Sequence, residues 1–201
     1  MKDKVVDSLM VSIKNNNNFD NVKLEEIRYG LCGLYSLTTK TVVIILLAYL
    51  LNICKEFLMF LIFYSILRSV CYGAHAKTNL QCWIFSAFLL ITVPYIFIQF
   101  EFSFKFYIIS WCVLFIVFLV FAPADTDKRP MISKKRKYKF KIVSLLICVL
   151  YLIIIFLNKE VSNIIISAMF MEAFLISPIS YIVMGQKVRF KLNDINLFKQ
   201  R

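Results

Sequence analysis

The chain has 201 residues, 60% of them hydrophobic and 18% charged, against about 45–50% apolar and about 25% charged in an average soluble domain. With 20 Phe and 10 Tyr, a water-soluble globule of this size would lack the polar surface to cover itself, so composition excludes that class and selects the bilayer as solvent. Lys and Arg number 24 against 12 Asp and Glu, a net charge of +12, which in a membrane chain speaks first of topology and anionic lipid headgroups; no nucleic-acid partner is expected.

In chain order, Met1 to Asp20 carries Asp3, Asp7 and four consecutive Asn where a signal peptide would need an apolar core, so cleavage is not expected. Val5, Val6, Leu9, Met10 and Ile13 recur at helical spacing, and Leu24, Ile27, Leu31, Leu34 and Tyr35 do so again. Two helices lying along the membrane surface fit this pattern, and so do two helices packed on a bundle. Six apolar stretches follow, at roughly 38–54, 57–72, 83–99, 105–122, 141–157 and 161–184, several of them short enough to require tilt or local thinning of the bilayer. The expected fold is all-α, a polytopic membrane protein of one domain. Residues 1–37 form one or two interfacial amphipathic helices, 38–184 a six-span bundle and 185–201 a cytoplasmic tail.

Orientation follows from the basic residues. Lys2, Lys4, Lys14, Lys23, Arg28 and Lys40 precede the first span, eight Lys and Arg fall in 123–141, and five follow residue 184. The opposite side holds Lys55 with Glu56, Glu101 with Lys105, and Lys159 with Glu160, each turn balanced to zero. The positive-inside rule then puts both termini, the 73–82 connection and the 123–141 loop in the cytoplasm of a cell-membrane protein, whereas five or seven spans would put a basic block outside.

Six cysteines stand at 32, 54, 71, 82, 112 and 148 with no CxxC among them, so neither a zinc site nor a disulfide framework is expected, and no metal or organic cofactor. His75, the one histidine, precedes Cys82 by seven residues in a polar interruption between two spans. A thiol with a neighbouring imidazole is the minimum set for cysteine acyl transfer, although a lone His and a Cys are commonly structural. On one continuous helix the two side chains would share a face yet lie about 10.5 Å apart along the axis. That is too far for proton transfer, so the connection must bend. Gly73 gives it the means at one end, and Thr78 or Asn79 as N-cap at the other. With Asn79 as cap, Cys82 would be the third residue of the new helix, where free N–H groups and the helix dipole favour a thiolate.

Arg68, Gly73, His75 and Cys82, together with Ala122-Pro123-Ala124-Asp125-Thr126, Arg129-Pro130 and the Tyr29-Gly30 region, resemble the AgrB-type accessory gene regulator proteins, membrane cysteine endopeptidases of Gram-positive quorum sensing. The likeness covers essentially the whole chain. It implies a thiol peptidase with His75 and Cys82 catalytic, acting on an AgrD-like propeptide made of an amphipathic leader, a signal segment and an acidic tail. Cys82 would attack the carbonyl joining signal to tail, and the signal segment's own Cys or Ser would then displace Cys82, closing a thiolactone or lactone autoinducing peptide. High effective molarity and a site screened from water would favour cyclisation over hydrolysis. The resemblance also implies a homodimer. A non-catalytic peptide exporter or membrane scaffold is the alternative reading, while an interior poor in acids argues against an ion-coupled transporter.

Other residues carry weaker signals. Arg68 would receive a substrate carboxylate, brace the loop or simply snorkel. Gly73 reads as a backbone requirement. Asp125 would orient the imidazole or merely turn the chain. Lys134, Lys135, Arg136, Lys137, Lys139 and Lys141 set topology and meet headgroups, or attract an acidic tail. Glu172, in the last span, calls for a partner or a wet cavity, and the sequence names neither. Cys71 is the rival nucleophile; Cys32, Cys54, Cys112 and Cys148 read as apolar filler.

Overall fold

The computed structural model describes residues 2–16, 19–74, 78–124 and 133–185. In chain order the helices are α1 (Lys2–Asn16), α2 (Asn21–Leu50), α3 (Cys54–Cys71), α4 (Asn79–Gln99), α5 (Phe104–Phe121), α6 (Lys134–Leu157), a single 3-10 turn (Lys159–Val161), α7 (Ser162–Ile176) and α8 (Pro178–Val183). Among the described residues the only β pairing is one isolated parallel bridge between Tyr72 and Ala124. The expected tail, beyond residue 185, lies outside the described residues.

The described residues fall into two compact units, one up to Leu50 and the other from Leu51 onward. In the first, the apolar stripe of α1 folds onto the start of α2: Val6, Met10 and Leu24 are buried together, with Phe19, Ile27, Leu31 and Cys32 packed around them. Asp3 in the first turn of α1 and Lys14 in its last complement the helix dipole. The second interfacial helix expected from the sequence and the first expected span are one continuous helix of 30 residues, α2. Gly30 and Gly33 do not break it, and Thr39 and Thr41 turn their hydroxyls back to the carbonyls of Tyr35 and Leu37, at 2.8 and 3.0 Å, within the helix itself.

The second unit is organised around α7, which packs against α3, α4, α5, α6 and α8. Twelve of its 15 residues are buried, as expected of a helix apolar on every side. Its neighbours are tied by hydrogen bonds between helices. The Tyr151 hydroxyl donates to the Phe63 carbonyl at 2.7 Å, and the Trp111 indole to the Cys148 carbonyl at 2.8 Å. The outer faces of α4, α5 and α6 remain open, with Ile84, Phe88, Ile109, Ile116 and Leu146 each at least 60% exposed. In water such a surface would aggregate; in lipid it is the solvated face.

Four helices, α2, the Leu80–Gln99 part of α4, α5 and α6, are long and apolar enough by length and composition to cross a membrane, which marks a membrane protein. The other two expected spans look different. The stretch read as 161–184 is two helices, α7 and α8, parted at Ser177 ahead of Pro178, because a residue before proline is driven out of the α region. The 15 residues of α7 reach about 22 Å, short of the hydrocarbon thickness of about 30 Å. The helix α3 carries Lys55, Glu56 and Arg68.

Candidate functional site

The helix α3 ends at Cys71, and the chain leaves it through two residues of positive φ, Tyr72 at +59° and Gly73 at +107°. A side chain at Gly73 is doubly excluded: its φ lies where only glycine is at ease, and a Cβ there would stand 2.5 Å from Arg68 Nη1 and 2.9 Å from the Leu175 carbonyl oxygen. Two backbone hydrogen bonds hold this exit, and a third bond braces one of their acceptors. The Cys71 carbonyl accepts from Ala124 N–H at 2.9 Å, the Ala74 N–H donates to the Leu175 carbonyl at 2.8 Å, and the Ser180 hydroxyl donates to that same carbonyl at 2.9 Å. Segments far apart in sequence, 68–74 and 122–124, thus meet backbone to backbone.

Arg68 sits in the middle, one turn before the end of α3. Its Nη1 donates to the Tyr72 carbonyl, and its Nη2 to the carbonyls of Gly73, at 3.4 Å, and Ala74, at 3.0 Å. A guanidinium suits this task because its planar fork collects several acceptors at once, and because a cation is favoured at a helix C-terminus. Its counter-charge is Glu172 on α7, with Oε1 at 3.5 Å from Nη1. Glu172 is fully buried, and its Oε2 has no hydrogen-bond partner among the described residues. The buried acid that lacked a partner in the sequence thus has one in Arg68.

Across the connection, α4 starts with Thr78 as N-cap, the threonine hydroxyl accepting from Gln81 N–H at 3.2 Å. The chain is therefore not one helix between Gly73 and Cys82. With Thr78 rather than Asn79 as cap, Cys82 is the fourth residue of α4, not the third. Its own N–H is spent on the Thr78 carbonyl at 3.0 Å. The Cys82 side chain is half-buried; its Sγ lies 3.9 Å from the Ser86 hydroxyl, one turn further along α4. Tyr64 stands one turn before Arg68 on α3, close enough to Arg68, Glu172 and Cys82 to lie in their electrostatic surroundings.

His75 and Asp125 lie outside the described residues. Each directly follows a described anchor, Ala74 on Leu175 and Ala124 on Cys71. Cys71, the rival nucleophile, is fully buried under this backbone junction. Cys148 is buried as well, Cys32 and Cys54 are half-buried, and Cys112 is exposed on the apolar surface of α5. Among the described residues no cluster of three or more His, Cys, Asp or Glu is arranged to hold a metal ion. The basic run 134–141 forms the first two turns of α6. It is moored to the same exit, for the Phe140 ring meets Tyr72 edge-on at 5.5 Å and carries the Arg136 guanidinium 5.5 Å from its centroid.

Sequence reasoning missed Tyr64, Ser86 and Leu175. Helical spacing could have found the first two, each four residues from a singled-out position, whereas Leu175 acts through its carbonyl and leaves no mark in the sequence.

Comparison with known proteins bears on the whole chain. The family described as Accessory gene regulator B matches residues 6–176. Among curated relatives, the Accessory gene regulator protein B of Staphylococcus aureus (strain Newman) is 29% identical over 183 residues, covering 90% of this chain and 95% of the relative. Those of Staphylococcus carnosus (strain TM300) and Staphylococcus intermedius are each 30% identical, over 80% and 76% of this chain and 84% and 80% of the relatives. No solved structure matches significantly. A family match spanning both the Arg68 to Cys82 segment and the Ala122 to Ala124 segment that the fold joins leads to one conclusion: the chain belongs to the accessory gene regulator B family.

Proposed function

We propose that the protein is a membrane-embedded cysteine endopeptidase of quorum sensing, which removes the C-terminal tail of an AgrD-like propeptide and cyclises the signal segment. The observation that carries this reading is the non-helical connection between α3 and α4. It sets Cys82 in the first turn of a capped helix and starts residue 75 from a backbone pinned on both sides. In the first step the Cys82 sulfur attacks the carbonyl that joins signal to tail. The C–N bond breaks, the tail leaves as an amine with a proton from His75, and a thioester remains on Cys82. In the second step the thiol or hydroxyl of the signal segment attacks that thioester, gives its proton to His75 and expels the Cys82 thiolate, closing a thiolactone or lactone.

Arg68 and Gly73 support the site through the backbone, as their contacts argue, and Asp125 is in sequence reach of an orienting role. The charge count places the termini and the site on the cytoplasmic side of the cell membrane as a multi-pass protein. There the basic turns of α6 suit both anionic headgroups and an acidic propeptide tail. A homodimer is part of the proposal on family grounds.

The test is mass spectrometry of the propeptide incubated with the purified protein in lipid. Wild type should give released tail and cyclic product, Cys82→Ala and His75→Ala neither, and Cys71→Ala both products. Cleavage by Cys82→Ala would remove the nucleophile assignment, and export of intact propeptide by wild type without cleavage would replace the enzyme with a transporter.

A further inference from the structure

Glu172 is the one acidic side chain buried among the described residues, and stability alone is a poor account of it. Its contact with Arg68 is 3.5 Å long, and its second oxygen finds no partner among the described residues. A buried ion pair repays its desolvation only with close geometry and with the remaining lone pairs satisfied, and an apolar residue of similar volume is commonly at least as stabilising. What the pair does hold is a direction. Glu172 and Leu175, three residues apart on α7, stand on one face of that helix. Leu175 receives the Ala74 N–H, while Glu172 faces the guanidinium that binds the Ala74 carbonyl. Both backbone polar groups of Ala74, the last described residue before His75, are therefore referred to the same helix.

We infer that Glu172 is a positioning residue for the proposed peptidase: through Arg68 it fixes the Tyr72–Gly73–Ala74 backbone that leads directly into His75. The inference rests on the peptidase reading and deepens it. Among the described residues Glu172 contacts Arg68 and not Cys82, so its loss should alter how often the imidazole is correctly placed, not how well propeptide is held. Misplacement of about 1 Å is enough to cost on the order of 100-fold in rate.

The experiment compares wild type, Glu172→Gln, Glu172→Asp, Arg68→Gln, the Arg68→Gln/Glu172→Gln double variant and His75→Ala, all as full chains in lipid nanodiscs. Steady-state kinetics of tail release should show kcat lowered about tenfold or more in Glu172→Gln with KM within about twofold, and partial recovery in Glu172→Asp, which keeps the charge. The double variant should be no slower than the slower single variant, as residues acting as one unit require. A substrate-free arm follows alkylation of Cys82 by iodoacetamide at fixed pH, quantified by peptide mapping; both His75→Ala and Glu172→Gln should slow it.

A shift in KM at unchanged kcat, or additive losses in the double variant, would overturn the inference. Slower alkylation in His75→Ala but not in Glu172→Gln would also overturn it while leaving the peptidase standing. If His75→Ala alkylates Cys82 at the wild-type rate, the His75–Cys82 reading itself fails. If neither Glu172 variant can be recovered folded, the pair is a folding element and the positioning role is lost.

Discussion

The two ends of α7 solve the same problem, closing a helical bundle where chain segments turn, by different chemistry. Near its start, Asn163 accepts from the Tyr107 hydroxyl at 2.8 Å and donates to the Phe100 carbonyl at 3.0 Å. Around it packs a cluster of rings that includes Phe97, Phe102, Phe106 and Phe170. These two hydrogen bonds join neutral groups, and the turns return the chain directly from one helix to the next. About 13 Å further along the axis, at Glu172, the chain leaves α3 in left-handed backbone and its carbonyls are gathered by a guanidinium with a buried counter-ion. Neutral hydrogen bonds are enough to close this bundle, so the charged device at the other end answers a different need, holding an irregular stretch of backbone in one conformation.

Substitutions at the two ends should therefore separate activity from stability. The largest effect is expected for Gly73→Ala: with φ at +107° and Arg68 Nη1 and the Leu175 carbonyl in the way, strain of about 1–3 kcal/mol should displace the exit from α3. Tail release should then fall by about 100-fold or more, as read by mass spectrometry. Near-normal turnover would show that the positive φ is dispensable and would dissolve the contrast.

Arg68→Lys comes next. An ammonium cannot reproduce the fork over three carbonyls, so turnover should drop about tenfold while the protein stays monodisperse in detergent. Equal turnover would reduce Arg68 to a charge. At the other end Asn163→Ala should behave inversely, losing about 1 kcal/mol of stability in thermal unfolding, with turnover per folded protein unchanged. A strong loss of turnover there would mean the ends are coupled through α7. Tyr107→Phe is the mildest change, removing one interhelical hydrogen bond worth about 0.6 kcal/mol in a membrane protein and leaving cleavage as in wild type.

The helical, membrane-bound character of the chain and the family were legible in the sequence, because hydropathy, periodicity and motif order are properties of the chain itself. The start of α4 was legible because its cap is local, Thr78 being one of the two candidates, whereas the break at Ser177 ahead of Pro178 fell inside a stretch read as one span, 161–184. The merging of the expected second interfacial helix with the first expected span into α2 was not legible. A change in composition near residue 38 looks like a boundary, but a helix continues through it when no residue supplies a competing hydrogen bond or a fixed φ.

At the site, the sequence by itself singled out His75 and Cys82 as the pair for the proposed reaction and called for a break in the helix between α3 and α4, which the fold supplies at Tyr72 and Gly73. Tertiary structure decided the rest. It paired Arg68 with Glu172 across 104 residues, set the Ala122–Ala124 segment against the end of α3, and chose Leu175 to anchor Ala74. The reason is physical: a carbonyl oxygen is the same group in every residue, and an ion pair specifies no sequence separation. Which backbone acceptor meets which donor depends on how helices pack, and packing here is set by α7, whose apolar residues on every side give no preferred face to read in advance.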